Sequence, residues 1–255
     1  MMKISKQDSK DWNEHIKLII QSTSVKSRET VKDKNARIER ALSDYAFFVE
    51  YYFPHYASSR CGWFQINAAN EVSGNKKLRA VFEWARGHAK STHFDLMIPM
   101  WLKAKGDLKV MVLVAKSESA AQTLLTDLQA ELEYNQRYIL DFGEQFNRGS
   151  WETGDFVTKD NTAFFALGRG QSPRGLRHQN NRPDYIVVDD IDDDELVQNE
   201  SRVAKVVDWI LTALFNTMDM GRGRFIMVGN RIHKNAVLSN IAEVPDVHHT
   251  IVNAL

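Results

Sequence analysis

Val81-Phe82-Glu83-Trp84-Ala85-Arg86-Gly87-His88-Ala89-Lys90-Ser91-Thr92 is the stretch whose reading decides the fold. It predicts a buried strand over Arg79–Trp84, a short turn of small and basic residues, and a helix opening at Ser91. A strand feeding a helix through such a turn offers an anion consecutive backbone N–H groups and the positive end of the helix. Against the pattern G-x-x-x-x-G-K-[ST], Ala89 replaces the glycine before the lysine and Trp84 stands where the first glycine belongs. Gly87 still permits close backbone approach. In this reading Lys90 reaches the β- and γ-phosphates of a nucleotide and the Ser91 hydroxyl ligates Mg²⁺. A basic strand–helix turn capped by Ser or Thr would look the same locally, so the rest of the chain has to decide.

Tyr185-Ile186-Val187-Val188-Asp189-Asp190 supplies the complement, an apolar strand ending in paired carboxylates. Open α/β sheets bind ligands at the carboxyl edge of their strands. Asp189 there can hold Mg²⁺ through water, and Asp190 can orient an attacking water. Glutamate is usual at the second position. Aspartate is one methylene shorter, which keeps Glu195, at the end of the acidic run Asp192-Asp193-Asp194-Glu195, as an alternative water-orienting group. The plain alternative for the run is a solvated acidic loop. An apolar strand ending in two acids has few structural uses, which favours chemistry.

Around these segments the pattern alternates strand and helix, implying parallel strands with crossover helices. A helix is expected over Ala36–Phe53, stopped by Pro54, and another over Trp63–Val72. After Arg79–Trp84 come a helix over Ser91–Lys103, a strand over Lys109–Ala115 and a helix over Ser117–Tyr134. Asp155–Leu167 reads as an antiparallel excursion turning at Lys159-Asp160-Asn161. Asp184–Val188 is a strand, Glu200–Met218 a helix, Arg224–Val228 a strand, and His248–Val252 one more. Residues 1–54 form an N-terminal helical lead-in and residues 55–255 the main domain.

With 33 Lys and Arg against 33 Asp and Glu there is no global basic field, so any nucleic-acid contact must come from a local patch. The single cysteine, Cys61, excludes an internal disulfide framework and is expected to act as a small buried hydrophobe. The best apolar run, Phe94 to Leu102, is too short for a bilayer and contains Asp95, so no membrane partner is expected.

Between Asn161 and Pro183 no acid occurs, while Arg169, Arg174, Arg177, His178 and Arg182 do. Such a loop can place an arginine on a nucleotide held by a neighbouring subunit, touch DNA phosphate, or pair with the acids after Asp189. Arg86, inside the phosphate turn, can stabilise charge developing on the γ-phosphate or pair with a sheet carboxylate. Gly229-Asn230-Arg231 ends the strand beside that of Asp189, where Asn230 can sense the γ-phosphate or merely form a turn. Gln65, beside Phe64, can read the adenine edge or lie on a helix surface. His233, His248 and His249 lack zinc spacing. Trp63, Trp84 and Trp101 read as core.

Taken in order, Ala85–Thr92, Val110–Ser117, Ser172-Pro173-Arg174-Gly175-Leu176-Arg177, Ile186–Asp190 and Gly229-Asn230-Arg231 resemble the ATPase domain of tailed-bacteriophage terminase large subunits, which package DNA into procapsids. The likeness covers roughly residues 45–250. It implies an additional-strand, RecA-like (ASCE P-loop NTPase) fold, an α/β architecture with a mostly parallel central sheet, flanking helices and an N-terminal helical segment. It implies ATP and Mg²⁺ at Arg86, Gly87, His88, Ala89, Lys90, Ser91 and Thr92, with Ser91 and Asp189 on the metal. Gln65 would read adenine, Asn230 would couple, Arg86 would act in cis, and Arg174 or Arg177 would act in trans. The implied partners are double-stranded DNA, a portal protein, a small terminase subunit and further copies of the chain in a ring, in the host cytoplasm. Terminases usually continue into an RNase H-like nuclease. The chain stops at Leu255, so an ATPase without nuclease activity is expected. Two other readings stay open: a helicase-like core fragment, and a nucleotide-binding assembly module with little turnover.

Overall fold

The computed structural model describes residues 6–25, 29–57 and 59–253. Residues 1–5 and 26–28 of the expected lead-in lie outside the described residues. The fold is α/β, built on an eight-stranded, mostly parallel sheet. Its strands are β1 (Arg79–Trp84), β2 (Val110–Ala115), β3 (Trp151–Glu152), β4 (Asp155–Val157), β5 (Ala163–Gly168), β6 (Tyr185–Asp189), β7 (Arg224–Gly229) and β8 (His248–Val252). Across the sheet they run β3-β4-β5-β2-β6-β7-β1-β8. The six from β5 to β8 are parallel, and β3 and β4 add an antiparallel edge.

The central strands are apolar along their whole length because both faces are covered. Successive side chains alternate between two core clusters. Phe82, Leu113, Val187 and Ile226 face one cluster; Val81, Val112, Ile186 and Met227 face the other. Helices α1 (Lys6–Ser22), α2 (Val31–Ser43), α3 (Tyr45–Tyr52) and α4 (Trp63–Gly74) precede β1. The first cluster takes in α3 and α4, together with α5 (Ile98–Ala104), α6 (Glu118–Tyr134) and α7 (Gln136–Phe142). The second takes in α8 (Asp194–Val197), α9 (Glu200–Trp209), the turns through α10 (Phe215–Thr217), and α11 (Val237–Ala242). Each large aliphatic side chain so buried contributes about 1.5–3 kcal/mol.

The helix expected over Ala36–Phe53 is two helices. Asp44 ends α2 in an extended conformation, and its carboxylate accepts the Phe47 N–H at 3.0 Å to cap α3. After Lys90 and Ser91 the helix widens into a π-helical turn over Thr92–Met97 before α5. Pro99 has no N–H to return to the Asp95 carbonyl, and its ring crowds that position, so the ladder loosens just ahead of it. The same widening recurs over Ile210–Leu214, between α9 and α10. Trp84 and Trp101 are buried, but Trp63 is 70% exposed, correcting its assignment to the core. As the first residue of α4 it stands outside the packed stripe of Ala68, Ala69 and Val72. Cys61 is half-buried rather than buried, and burial pushes its thiol up to about 11. Among the described residues no helix is long and apolar enough to cross a membrane.

Candidate functional site

β7 lies between β1 and β6, so the phosphate turn leaving β1 and the acids ending β6 are separated by one strand on the same edge of the sheet. The register sets Asp189 beside Val228 and Glu83 beside Gly229, bringing the three strand ends level. There the Ser91 hydroxyl donates to Asp189 Oδ2 at 2.5 Å. The two sequence segments that promised a common chemistry are therefore in contact.

The turn from Ala85 to Lys90 is shaped by two left-handed residues, Gly87 at φ 85° and Ala89 at φ 55°. Glycine adopts this region freely; alanine does so at a cost of about 1–2 kcal/mol. Lys90 Nζ is folded into the turn, donating to the Trp84 carbonyl at 2.8 Å and to Asn230 Oδ1 at 3.1 Å. Burial lowers its ammonium pKa, Asp189 and Asp190 oppose that fall, and Arg86 reinforces it. A cavity of about 680 Å³ opens over the turn. Arg86, Gly87, Ala89, Lys90, Ser91 and Thr92 line it from one side, and Asp190, Asp192 and Asn230 from the others.

Asp189 is buried behind Ser91 and does not itself line this cavity, and its neighbour Asp190, which does, turns out into solvent through a left-handed φ of 45°. That backbone reversal separates the pair into an inner acid and an outer one. Behind Asp189 lies Asp95, one helical turn after Ser91 and 2% exposed. Neither oxygen of Asp95, nor Oδ1 of Asp189, has an N–H or O–H donor when both groups are ionised. Two carboxylates offer each other only acceptors, and a single proton makes them a hydrogen-bonded pair. Burial, and next the charge on Asp189, drive the Asp95 pKa far up, so Asp95 holds that proton. Burial also raises Asp189, against the hydrogen bonds from Asp95 and Ser91.

A search against protein-family models finds no match, and a search of curated proteins finds none.

Other predicted residues are placed differently. Gln65 and His88 do not line the cavity. The Gln65 amide bridges the Gly62 N–H and the His88 carbonyl, at 2.8 and 3.1 Å, tying α4 to the turn. Glu195 lies on α8 and pairs with Arg202 at 2.6 Å, outside the cavity, while Asp190 and Asp194 are exposed acids that line it. Arg174 and Arg177 line a separate cavity of about 650 Å³. Of the basic loop, Arg169 reaches the acid tip, donating to the Ile191 carbonyl at 2.7 Å and meeting Asp193 at 2.9 Å. Asp192 accepts the Val237 and Leu238 N–H groups at 2.8 and 3.0 Å, joining the acid loop to α11. His248 pairs with Glu71, and His249 with Glu83.

Asp95 is the residue that sequence reasoning missed. It carried a signal, being an acid inside an otherwise apolar helix four residues after Ser91. Arg169 takes the alternative of pairing with the acids after Asp189, and Asp192, read only as one of an acidic run, caps α11.

The donor set suits a small divalent cation. A hydroxyl oxygen and a carboxylate oxygen meet at 2.5 Å, with the second Asp189 oxygen free of any N–H donor. Mg²⁺ typically takes one or two protein oxygens and fills its shell with phosphate and water. The helix start, the glycine of the turn and the lysine together favour an anion alongside it.

Proposed function

We propose that the chain is a RecA-like P-loop ATPase of the terminase type, a motor that couples ATP hydrolysis to the movement of double-stranded DNA. The observation carrying this reading is the 2.5 Å contact between Ser91 and Asp189 beneath a cavity floored by the Gly87–Lys90 turn. One strand inserted between the phosphate strand and the acid strand is the arrangement that an additional-strand ATPase requires, and β7 occupies that place. A portal protein, a small terminase subunit and neighbouring copies of the chain are the partners this reading brings with it.

Ser91 and Asp189 would hold Mg²⁺, which on binding supplies positive charge to the β- and γ-phosphate oxygens. Lys90 would exchange its carbonyl partners for phosphate oxygens. Asp190, exposed at the cavity mouth, would orient the attacking water. Arg86, exposed on the cavity wall and without an ion-pair partner among the described residues, would stabilise negative charge as the bond to the leaving oxygen breaks. Asn230, bonded to Lys90, would register the departure of phosphate and pass it to the segment after β7.

A second reading, nucleotide held as an assembly latch with little turnover, is favoured by the strained Ala89 and by Lys90 being engaged within its own turn. Steady-state phosphate release separates the two. Wild type, Lys90→Ala and Asp189→Ala are compared at high protein concentration with duplex DNA present. The motor reading expects each variant to fall by about 10²–10³-fold. Wild type no faster than either variant would end it in favour of the latch.

A further inference from the structure

The loop between β5 and β6 leaves the acid tip after Arg169 and folds over the α9 side of the domain. Leu176 packs against the second core cluster, and Trp209 Nε1 donates to the Gln171 carbonyl at 2.8 Å. The chain then doubles back through a tight turn whose first residue, Gln179, takes φ 54°. His178 and Asn181 exchange both backbone bonds across that turn, at 3.0 and 2.9 Å, as an isolated antiparallel bridge. Arg177 and Arg182 flank this bridge in sequence, one on each arm of the turn.

Like charges gathered at one place repel, and the usual remedy is a carboxylate. Arg169, Arg202 and Arg222 each have one, in Asp193, Glu195 and Asp184. Among the described residues, Arg174, Arg177 and Arg182 have none. All three line the cavity of about 650 Å³, where a single bond from Arg182 to the Asn216 carbonyl at 3.3 Å uses a small part of their donor capacity. Thr212 and Thr217 also line it, but their hydroxyls are spent on carbonyls one turn back, and Asn216 gives one of its two amide N–H groups in the same way. The charged donors left for a ligand are the guanidinium N–H groups.

We propose that Arg174, Arg177 and Arg182 form a notch for the phosphodiester backbone of a nucleic acid, on a face of the domain separate from the acid-tip cavity. Guanidinium forks match phosphate oxygens two at a time, and a bound phosphate would offset the repulsion among three guanidinium groups that line one cavity. Three exposed cations suit a run of phosphates better than the single phosphate of a modified peptide. The lining holds only Leu176 and Ala213 as apolar groups, which makes no recess for a peptide side chain. The inference deepens the motor reading by giving DNA a contact site, and it rests on that reading only for the choice of nucleic acid as partner.

The test is fluorescence anisotropy of a labelled duplex with the full chain, without nucleotide, across a series of salt concentrations. Wild type is compared with Arg177→Gln/Arg182→Gln, with the triple variant adding Arg174→Gln, and with the triple lysine variant. Each phosphate contact contributes about 0.9 to the slope of log K against log salt, so the triple glutamine variant should lose about 2–3 from that slope and the lysine variant should keep most of it. Matching urea midpoints would show that the fold survives these exposed substitutions. A triple glutamine variant with wild-type affinity and slope overturns the notch. Displacement of the duplex by a phosphoserine peptide at lower concentration than by unlabelled duplex overturns the choice of nucleic acid. Lys90→Ala is run in parallel to separate the two readings. Binding through the arginines without any ATP hydrolysis would end the motor reading and keep the notch. Hydrolysis with arginine-independent binding would do the reverse.

Discussion

The two edges of the same sheet treat charge in opposite ways. At the amino edge, Asp107 pairs with Arg224 at 2.6 Å and with Lys76 at 2.8 Å. Asp184 there accepts the Lys109 and Val110 N–H groups and pairs with Arg222 at 2.7 Å. Every one of these acids meets a cation or a backbone donor, and the edge is closed. At the carboxyl edge the acids crowd together: after burial, the charges of Asp189 and Asp190 raise the proton affinity of Asp95, and that of Asp190 raises Asp189. Three residues near them, Gly87, Ala89 and Asp190, have left-handed backbones. One edge spends its charges on the fold; the other keeps them uncancelled for a ligand.

The comparison breaks most visibly under substitution. Asp107→Ala leaves the fully buried Arg224 guanidinium without its carboxylate, and a loss of about 3–5 kcal/mol is expected in urea unfolding. Asp189→Asn should move stability the other way. It removes a buried charge that burial and Asp190 both disfavour, so the urea midpoint rises while phosphate release falls. A destabilised Asp189→Asn would mean that the carboxyl edge is held together by its acids rather than despite them.

Ala89→Gly sharpens the contrast on a smaller scale. Relief of the φ 55° strain, less the entropy glycine loses on folding, should stabilise the protein by up to about 1 kcal/mol in the same assay, with nucleotide affinity kept or improved. A loss of affinity would show that the methyl group contributes to the turn.

Asp95→Asn gives the smallest effect, and it depends on pH. Asp95 is raised in the folded protein, so the folded state holds a proton that the unfolded chain releases above its ordinary carboxyl range. That contribution is complete below the unfolded value and is lost as pH rises. Asparagine carries the donor permanently. The melting temperature of Asp95→Asn relative to wild type should therefore climb between acidic and mildly alkaline pH. A flat difference would show that Asp95 is not the proton holder.

Much of this was legible in the sequence because it is local. β1, β2, β6 and β7 announced themselves as short apolar runs between turn residues, and α6 was expected from Ser117, the residue that caps it. The meeting of Ser91 with Asp189 followed from where parallel strands end. What escaped depends on contacts between distant segments. Asp44 looked like one polar residue on a helix, and its capping role needed the chain to bend there. Trp63 looked like core by composition, and its exposure follows from standing at the start of α4. Arg169 and Arg177 looked alike in one basic loop. The grip of Arg169 on the Ile191 carbonyl, and the gathering of Arg177 with Arg174 and Arg182 around a separate cavity, divide the loop into two separate tasks.

The carboxylate of Asp192, three residues past the end of β6, accepts from the first two amides of α11. The tip of β6 and the start of α11 are thus bolted at one point. Only the short turn through Asp190 and Ile191 stands between Asp189 and this junction, so a displacement of either element would be felt by the other. Leu238 and Ile241 carry that helix into the core beside β7, giving the lever its fulcrum.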